Sequence, residues 1–226
     1  LTPARTGAAA GRPAGDVEAG GAGDRLAGLW LACYERLAAA ATHEVNNALN
    51  GVGMNLEVVR LRATPGGDAG RVAAFAAAGA EEHESVVALV GALLALGRLP
   101  RGSGAPDVAE VVRHAAAVHG SLLRHRGATI AVDAGDRAAP TGAPARAVRL
   151  AVCAAFEAAS AALTGAGAAG DPAAVLRCNL QVTDGPTLAV TPAPAAWPPD
   201  VAAALAGAGV QSAMAPDALR LAFVAA

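Results

Sequence analysis

The sequence contains no lysine: all 17 basic residues are arginine, and 19 acidic residues outnumber them for a net charge of -2. That balance excludes a general nucleic-acid binder, which needs a basic face to neutralise phosphates. Aromatic residues are only 3 % of the chain. The core must therefore be built from Ala, Val and Leu, a composition that suits closely packed helices. The three cysteines, Cys33, Cys153 and Cys178, form no CxxC pair, which excludes a zinc knuckle and a dithiol redox motif. Their odd number and apolar surroundings in sequence are those of reduced core thiols in a cytoplasmic protein. No apolar run reaches the roughly 18 residues of a membrane span, so no membrane segment is expected. What the chain does have is 54 % hydrophobic residues against 16 % charged ones. That is enough apolar material for a packed core and excludes disorder of the whole chain.

The pattern along the 226 residues divides them into four parts. Residues 1–23 are rich in Gly, Ala and Pro and read as a disordered leader. Asp24 is a candidate N-cap, and from it Leu26, Trp30, Cys33, Leu37, Ala41, Val45, Ala48, Val52, Leu56 and Val59 recur three or four residues apart. This is a sustained helical seam. Thr64-Pro65-Gly66-Gly67 ends it, and a second helical pattern runs back through Val72, Phe75, Gly79, His83, Val86, Val90, Leu93 and Gly97. Residues 24–98 thus read as a long antiparallel helical hairpin. Its apolar seam is too wide for two helices, so a four-helix bundle in a homodimer is expected to bury it. On that pattern His83 belongs to a polar layer inside the bundle, and Trp30 and Tyr34 pack at its end. Residues 99–105 are a linker.

Residues 106–226 change character. Asp107-Val108-Ala109-Glu110 has the form of a capping box and opens an amphipathic helix to about Arg126. His114, His119 and His125 lie on it without the spacing of a metal site. A strand is expected at 128–132, a helix at 144–163, strands at 174–183 and 187–191 around the Asp184-Gly185 turn, a short helix at 199–206, and a last strand at 218–224. This order predicts an α+β sandwich with helices on one face of an antiparallel sheet.

The segment richest in chemistry is Thr42-His43-Glu44-Val45-Asn46-Asn47-Ala48-Leu49-Asn50. His43, Asn46, Asn47 and Asn50 follow helical spacing and make one polar stripe, turned away from the Ala41/Val45 seam. Asparagine costs several tenths of a kcal/mol in a helix relative to Ala, so three in five residues break a local rule, and such breaks mark function. A solvated face that happens to hold a histidine is the plain alternative. A zincin His-Glu-x-x-His helix is excluded, because Asn47 stands where the second histidine ligand must be.

His43-Glu44-Val45-Asn46-Asn47 resembles the H box of the dimerisation and phosphotransfer domain of bacterial histidine kinases, with Leu49 matching the pattern and Ala48 replacing the usual Pro. The resemblance implies phosphoryl chemistry on the imidazole of His43, with Nε2 as the nucleophile. It also implies that Glu44 accepts from Nδ1–H or takes its proton. Glu44-Val45-Asn46-Asn47 is similar to the family's phosphatase signature, which implies that Asn47 orients a water. Residues 106–226 resemble the outline of the family's ATP-binding domain, with the ATP site lost. Cys153 and Glu157 fall at the two expected Asn positions. Thr191 to Pro198 holds neither the Asp nor the Gly of the adenine-binding box, and Gly207-Ala208-Gly209 is all that is left of the later glycine box. The resemblance therefore implies a histidine phosphotransfer protein of a two-component phosphorelay. It would bind no cofactor itself, and its partner, a response-regulator receiver domain, would supply Mg²⁺. A divergent sensor kinase that still uses ATP and a non-catalytic scaffold that binds receivers stand as the alternatives.

Overall fold

The computed structural model describes residues 14–63, 68–98, 105–124, 126–165 and 174–226. Among these, the chain forms five helices and a five-stranded sheet: α1 (Ala14–Arg62), α2 (Ala69–Gly97), α3 (Val108–Arg124), β1 (Thr129–Asp133), α4 (Ala145–Gly165), β2 (Val175–Val182), β3 (Pro186–Thr191), α5 (Pro199–Ala206), β4 (Val210–Met214) and β5 (Leu219–Phe223).

α1 begins ten residues before the expected Asp24, so 14–23 are helical rather than a disordered leader. The segment holds four Gly and three Ala, so its own helix propensity is weak, and it continues the helix outward from the part of α1 that packs on the rest of the chain. The expected turn at 64–67 and most of the linker, 99–104, lie outside the described residues, as do residues 1–13.

α1 and α2 pack against each other in opposite directions. Tyr34 Oη donates to the Leu93 carbonyl at 3.2 Å, while further along α1 Gly51 and Asn55 meet Glu82 and Gly79 of α2. Gly97 is required at the near end: a Cβ there would lie 2.5 Å from Tyr34 Oη. Trp30 is buried and stacks obliquely on Tyr34, ring centroids 5.5 Å apart, at this same end. The seam divides in two. Leu26, Trp30, Cys33, Leu37 and Ala41 are buried, because α3, α4 and α5 as well as α2 pack on α1. Further on, Val45, Ala48, Val52 and Val59 are half-buried and Leu56 is exposed.

α4 is the centre of the core. Ala147, Val148, Leu150, Ala151, Val152, Cys153, Ala154, Ala155, Phe156 and Ala159 are all buried. A helix that is apolar all round has neighbours all round, and α4 packs on α1, α3, α5 and strands of the sheet. The sheet order is β1-β2-β3-β5-β4. Leu176, Cys178, Leu180, Leu188, Val190, Leu219, Leu221 and Phe223 point alternately to one face and are buried under the helices.

Two sheet features depart from the sequence expectation. β1 pairs parallel to β2, so the sheet is mixed rather than antiparallel. The cause is the connection: the chain crosses through α4 between these strands, and a helical crossover returns it in the same direction. β4 was not expected. Val210-Gln211-Ser212-Ala213-Met214 has little strand propensity of its own and is held by pairing with β5, Val210 opposite Phe223 and Met214 opposite Leu219. The Asp107 cap is present in a wider form. Its Oδ1 accepts from Ala109 N and from Ala139 N, both at 2.9 Å, tying the start of α3 to the loop after β1.

Phe156 has no solvent exposure and stacks on His119 at 5.6 Å between centroids. Phe156→Ala is expected to destabilise the chain by about 3–5 kcal/mol, because the cavity would sit where α3 and α4 meet. Urea unfolding measures this, and a loss under 1 kcal/mol would mean that the α3–α4 contact is not part of the core.

Candidate functional site

The Thr42–Asn50 segment lies in the middle of α1, where the helix leaves the core. Thr42 Oγ1 donates back to the Ala38 carbonyl at 2.8 Å, a common way for a helical threonine to satisfy its hydroxyl. His43, Asn46, Asn47 and Asn50 are all exposed, while Val45 is half-buried against the core. The stripe expected from the spacing is therefore an open face of the helix.

Within that stripe two residues touch. Asn47 Nδ2 lies 3.0 Å from His43 Nδ1, the reach of one helical turn between positions i and i+4. Glu44 is on a different side. It is buried, at 9 % exposure, and lines a cleft of about 390 Å³ with Glu81, Glu82 and Ser85 of α2 and Ser121 and Arg124 of α3. His43 and Asn47 are thus brought together, whereas Glu44 is rotated toward α2 and α3, as neighbouring helical positions must be. A larger cleft of about 750 Å³ continues between α2, α3 and β1 and shares Glu81, Ser85, Ser121 and Arg124 with the first.

The second candidate region is the face of α4 that carries Cys153 and Glu157. Here α1 covers it. Glu157 takes a bidentate pair of hydrogen bonds from Arg36, Nε to Oε1 at 2.9 Å and Nη2 to Oε2 at 3.0 Å. Both side chains are about half exposed, so the pair adds only about 0–1 kcal/mol and serves mainly to fix the register of α1 on α4. Cys33 Sγ lies 4.0 Å from Glu157 Oε2. Burial, and then the Glu157 charge, push the Cys33 thiol up to about 11 against the opposing pull of Arg36. Cys153 is pushed well above its ordinary value by burial first, and by Cys33 and Glu157 after it. These are protonated, unreactive thiols at neutral pH. Between them lies a cavity of about 260 Å³ lined also by His119 and Arg126. The Thr191–Pro198 stretch, where the resemblance puts an adenine-binding box, packs Trp197 on the core. Among the described residues no three His, Cys, Asp or Glu side chains stand close enough to hold a metal ion.

Two histidines lie apart from the stripe. His83 is exposed in the single chain. His119 is buried, 5 % exposed, with Nε2 lacking a hydrogen-bond partner. Its burial was legible: it lies four residues after Ala115 and four before Leu123, on the apolar side of α3. The Arg36–Glu157 pair had no sequence signal, since the two residues are 121 positions apart.

No protein-family model matches the chain, and no curated protein matches it.

Burial lowers the pKa of His119 from 6.5 to about 4, a shift opposed only by the Glu157 charge. The folded chain therefore favours the neutral ring. Stability from this residue is complete above about 6.5 and is lost as pH falls toward about 4. Between pH 7.5 and 4.5 the wild type is expected to lose roughly 2–3 kcal/mol more unfolding free energy than a His119→Leu variant. Equal losses in urea titrations would show that the ring does not have to be neutral in the fold.

Proposed function

We propose that the chain is a histidine phosphotransfer protein in which His43 carries a phosphoryl group to or from the aspartate of a response-regulator receiver domain. The observation that carries this reading is an exposed histidine in the middle of a long helix, its ring nitrogen Nδ1 held by the amide one turn on. That arrangement turns Nε2 outward, where a partner protein can reach it without unfolding the chain. In the transfer, with the ring proton on Nδ1, the Nε2 lone pair attacks the phosphorus of the receiver's acyl phosphate. The bond from phosphorus to the aspartate oxygen breaks, and the carboxylate leaves with its electron pair. Mg²⁺ held in the receiver's acidic pocket would neutralise charge on the moving phosphoryl group.

The closed face of α4 supports transfer without ATP. In a kinase-like reading Glu157 would face the metal of a nucleotide, but here its carboxylate is taken up by Arg36 of α1, and Thr191–Pro198 carries neither the acid nor the glycines of an adenine pocket. Residues 106–226 then serve as a fixed body beside the histidine. The homodimer belongs to the same proposal. Leu31, Leu49 and Leu56 of α1 and Val87, Val90 and Leu94 of α2 are exposed at helical spacings, and His83 falls in the α2 stripe. A second copy laid against these stripes would complete a four-helix bundle.

Radiolabel from phosphorylated receivers tests the reading. Wild type is expected to take up label and His43→Ala none, with melting midpoints almost equal, because exposed helix positions change stability by at most about 0.5 kcal/mol. Label on His43→Ala equal to wild type rejects the reading and leaves a receiver-binding scaffold. Light scattering at micromolar concentration is expected to give twice the chain mass of 21.9 kDa. A monomer there, with Leu56→Glu and Val87→Glu behaving as wild type, rejects the dimer.

A further inference from the structure

We infer that Asn47 is a positioning residue for His43: its amide bonds Nδ1 in either tautomer of the ring and so keeps Nε2 facing outward. The effect on rate rests on the phosphotransfer reading above; the contact itself is a 3.0 Å approach of Asn47 Nδ2 to His43 Nδ1.

The chemistry follows from the donors and acceptors present. Neutral imidazole has one N–H and one bare nitrogen. With the amide NH₂ toward Nδ1 it donates to the lone pair there, and the ring proton then sits on Nε2. That nitrogen points away from the amide and is not a nucleophile in this state. Attack requires the other tautomer, with the proton on Nδ1 and the lone pair on Nε2. Solvent can take the proton from exposed Nε2 and return one to Nδ1. An asparagine can then turn its amide end over and accept from Nδ1–H through Oδ1, with no change of the ring's orientation. A carboxylate could serve only as acceptor at Nδ1 and an ammonium only as donor. After attack the ring holds the phosphoryl group on Nε2 and the proton on Nδ1. Its positive charge then faces the amide oxygen, which strengthens that hydrogen bond. An amide at this position thus serves every stage of the cycle. This gives a physical reason for a poor helix former in an alanine-rich helix, and it places on the ring an amide otherwise assigned to a water.

The test uses the full chain labelled with ¹⁵N-histidine, with the His43 signals assigned by their loss in His43→Ala. In wild type at pH 8, His43 Nδ1 is expected to be the unprotonated nitrogen, shifted upfield of the exposed His83 by the hydrogen bond it accepts. In Asn47→Ala it should move to the His83 position, and in Asn47→Asp the ring proton should move to Nδ1. In parallel, Asn47→Ala is expected to slow label uptake at saturating phosphorylated receiver about ten-fold, the worth of one hydrogen bond. The half-saturating receiver concentration should stay the same. Uptake by the wild type with His43 shifts identical in wild type and Asn47→Ala overturns this inference alone. So does an Asn47→Ala effect confined to the half-saturating concentration, which would make the residue a docking contact. A wild type that takes up no label overturns the inference together with the phosphotransfer reading.

Discussion

The packing of α4 is the contact on which the rest of the structure depends. Its side chains are small on nearly every side, with Ala147, Ala151, Ala154, Ala155 and Ala159 among them, so helices and strands can approach its backbone closely from all directions. Close approach compensates for the scarcity of aromatic residues: many short contacts replace a few large buried rings. Because α4 is held between the sheet and α1, the rotation of α1 is held too. Cys33 and Leu37 face inward, and Arg36 reaches Glu157. Seven residues beyond Arg36, two helical turns along the same rod, comes His43. The packing below it sets the face of the helix on which His43 stands, and the contact with Asn47 then orients its ring.

The same packing separates the two regions that the sequence put forward for chemistry. One is open: the His43 stripe faces solvent, and its only described side-chain bond is the amide to Nδ1. The other is shut: Cys153 is buried, Cys33 lies against Glu157, and burial keeps both thiols protonated. His119 closes the inner wall of that region, a neutral ring stacked on Phe156. An ionisable group accepts such a place only where the surroundings keep it uncharged. The polar atoms around α4 therefore belong to the structure, and those along the outer face of α1 are free to act.

Much of this was legible in the sequence where the signal was local and periodic. The seam from Leu26 to Ala41, the polar stripe from His43 to Asn50, the short helix at 199–206 and the Asp184-Gly185 turn all follow from spacing and turn chemistry, and the structure has them. What was illegible depended on distant residues. β4 exists because β5 is beside it, and its own Gln211 and Ser212 say nothing of a strand. The parallel pairing of β1 needed the path of α4. The pairing of Arg36 with Glu157 needed two helices to meet. The direction of Glu44 was half legible: the spacing excluded facing His43 along the helix, but only the packing of α2 and α3 shows the cleft that it enters.

The length of α1 has a consequence of its own. At about 1.5 Å per residue, its 49 residues extend for roughly 74 Å as one continuous rod. The α/β body grips this rod at Cys33 and Arg36, and His43 lies about 10–15 Å further along its axis. Helices of this kind resist stretching, so the distance from the body to the histidine works as a fixed gauge. Any protein that touches both at once must have its own two contact points set at that distance. Under the proposed phosphotransfer, a phosphorylated aspartate on a partner of the wrong dimensions would miss the ring even where the surfaces agreed in charge. Selection by span in this way asks nothing of sequence-specific contacts, and it would survive drift in every exposed side chain of the body so long as the rod kept its length.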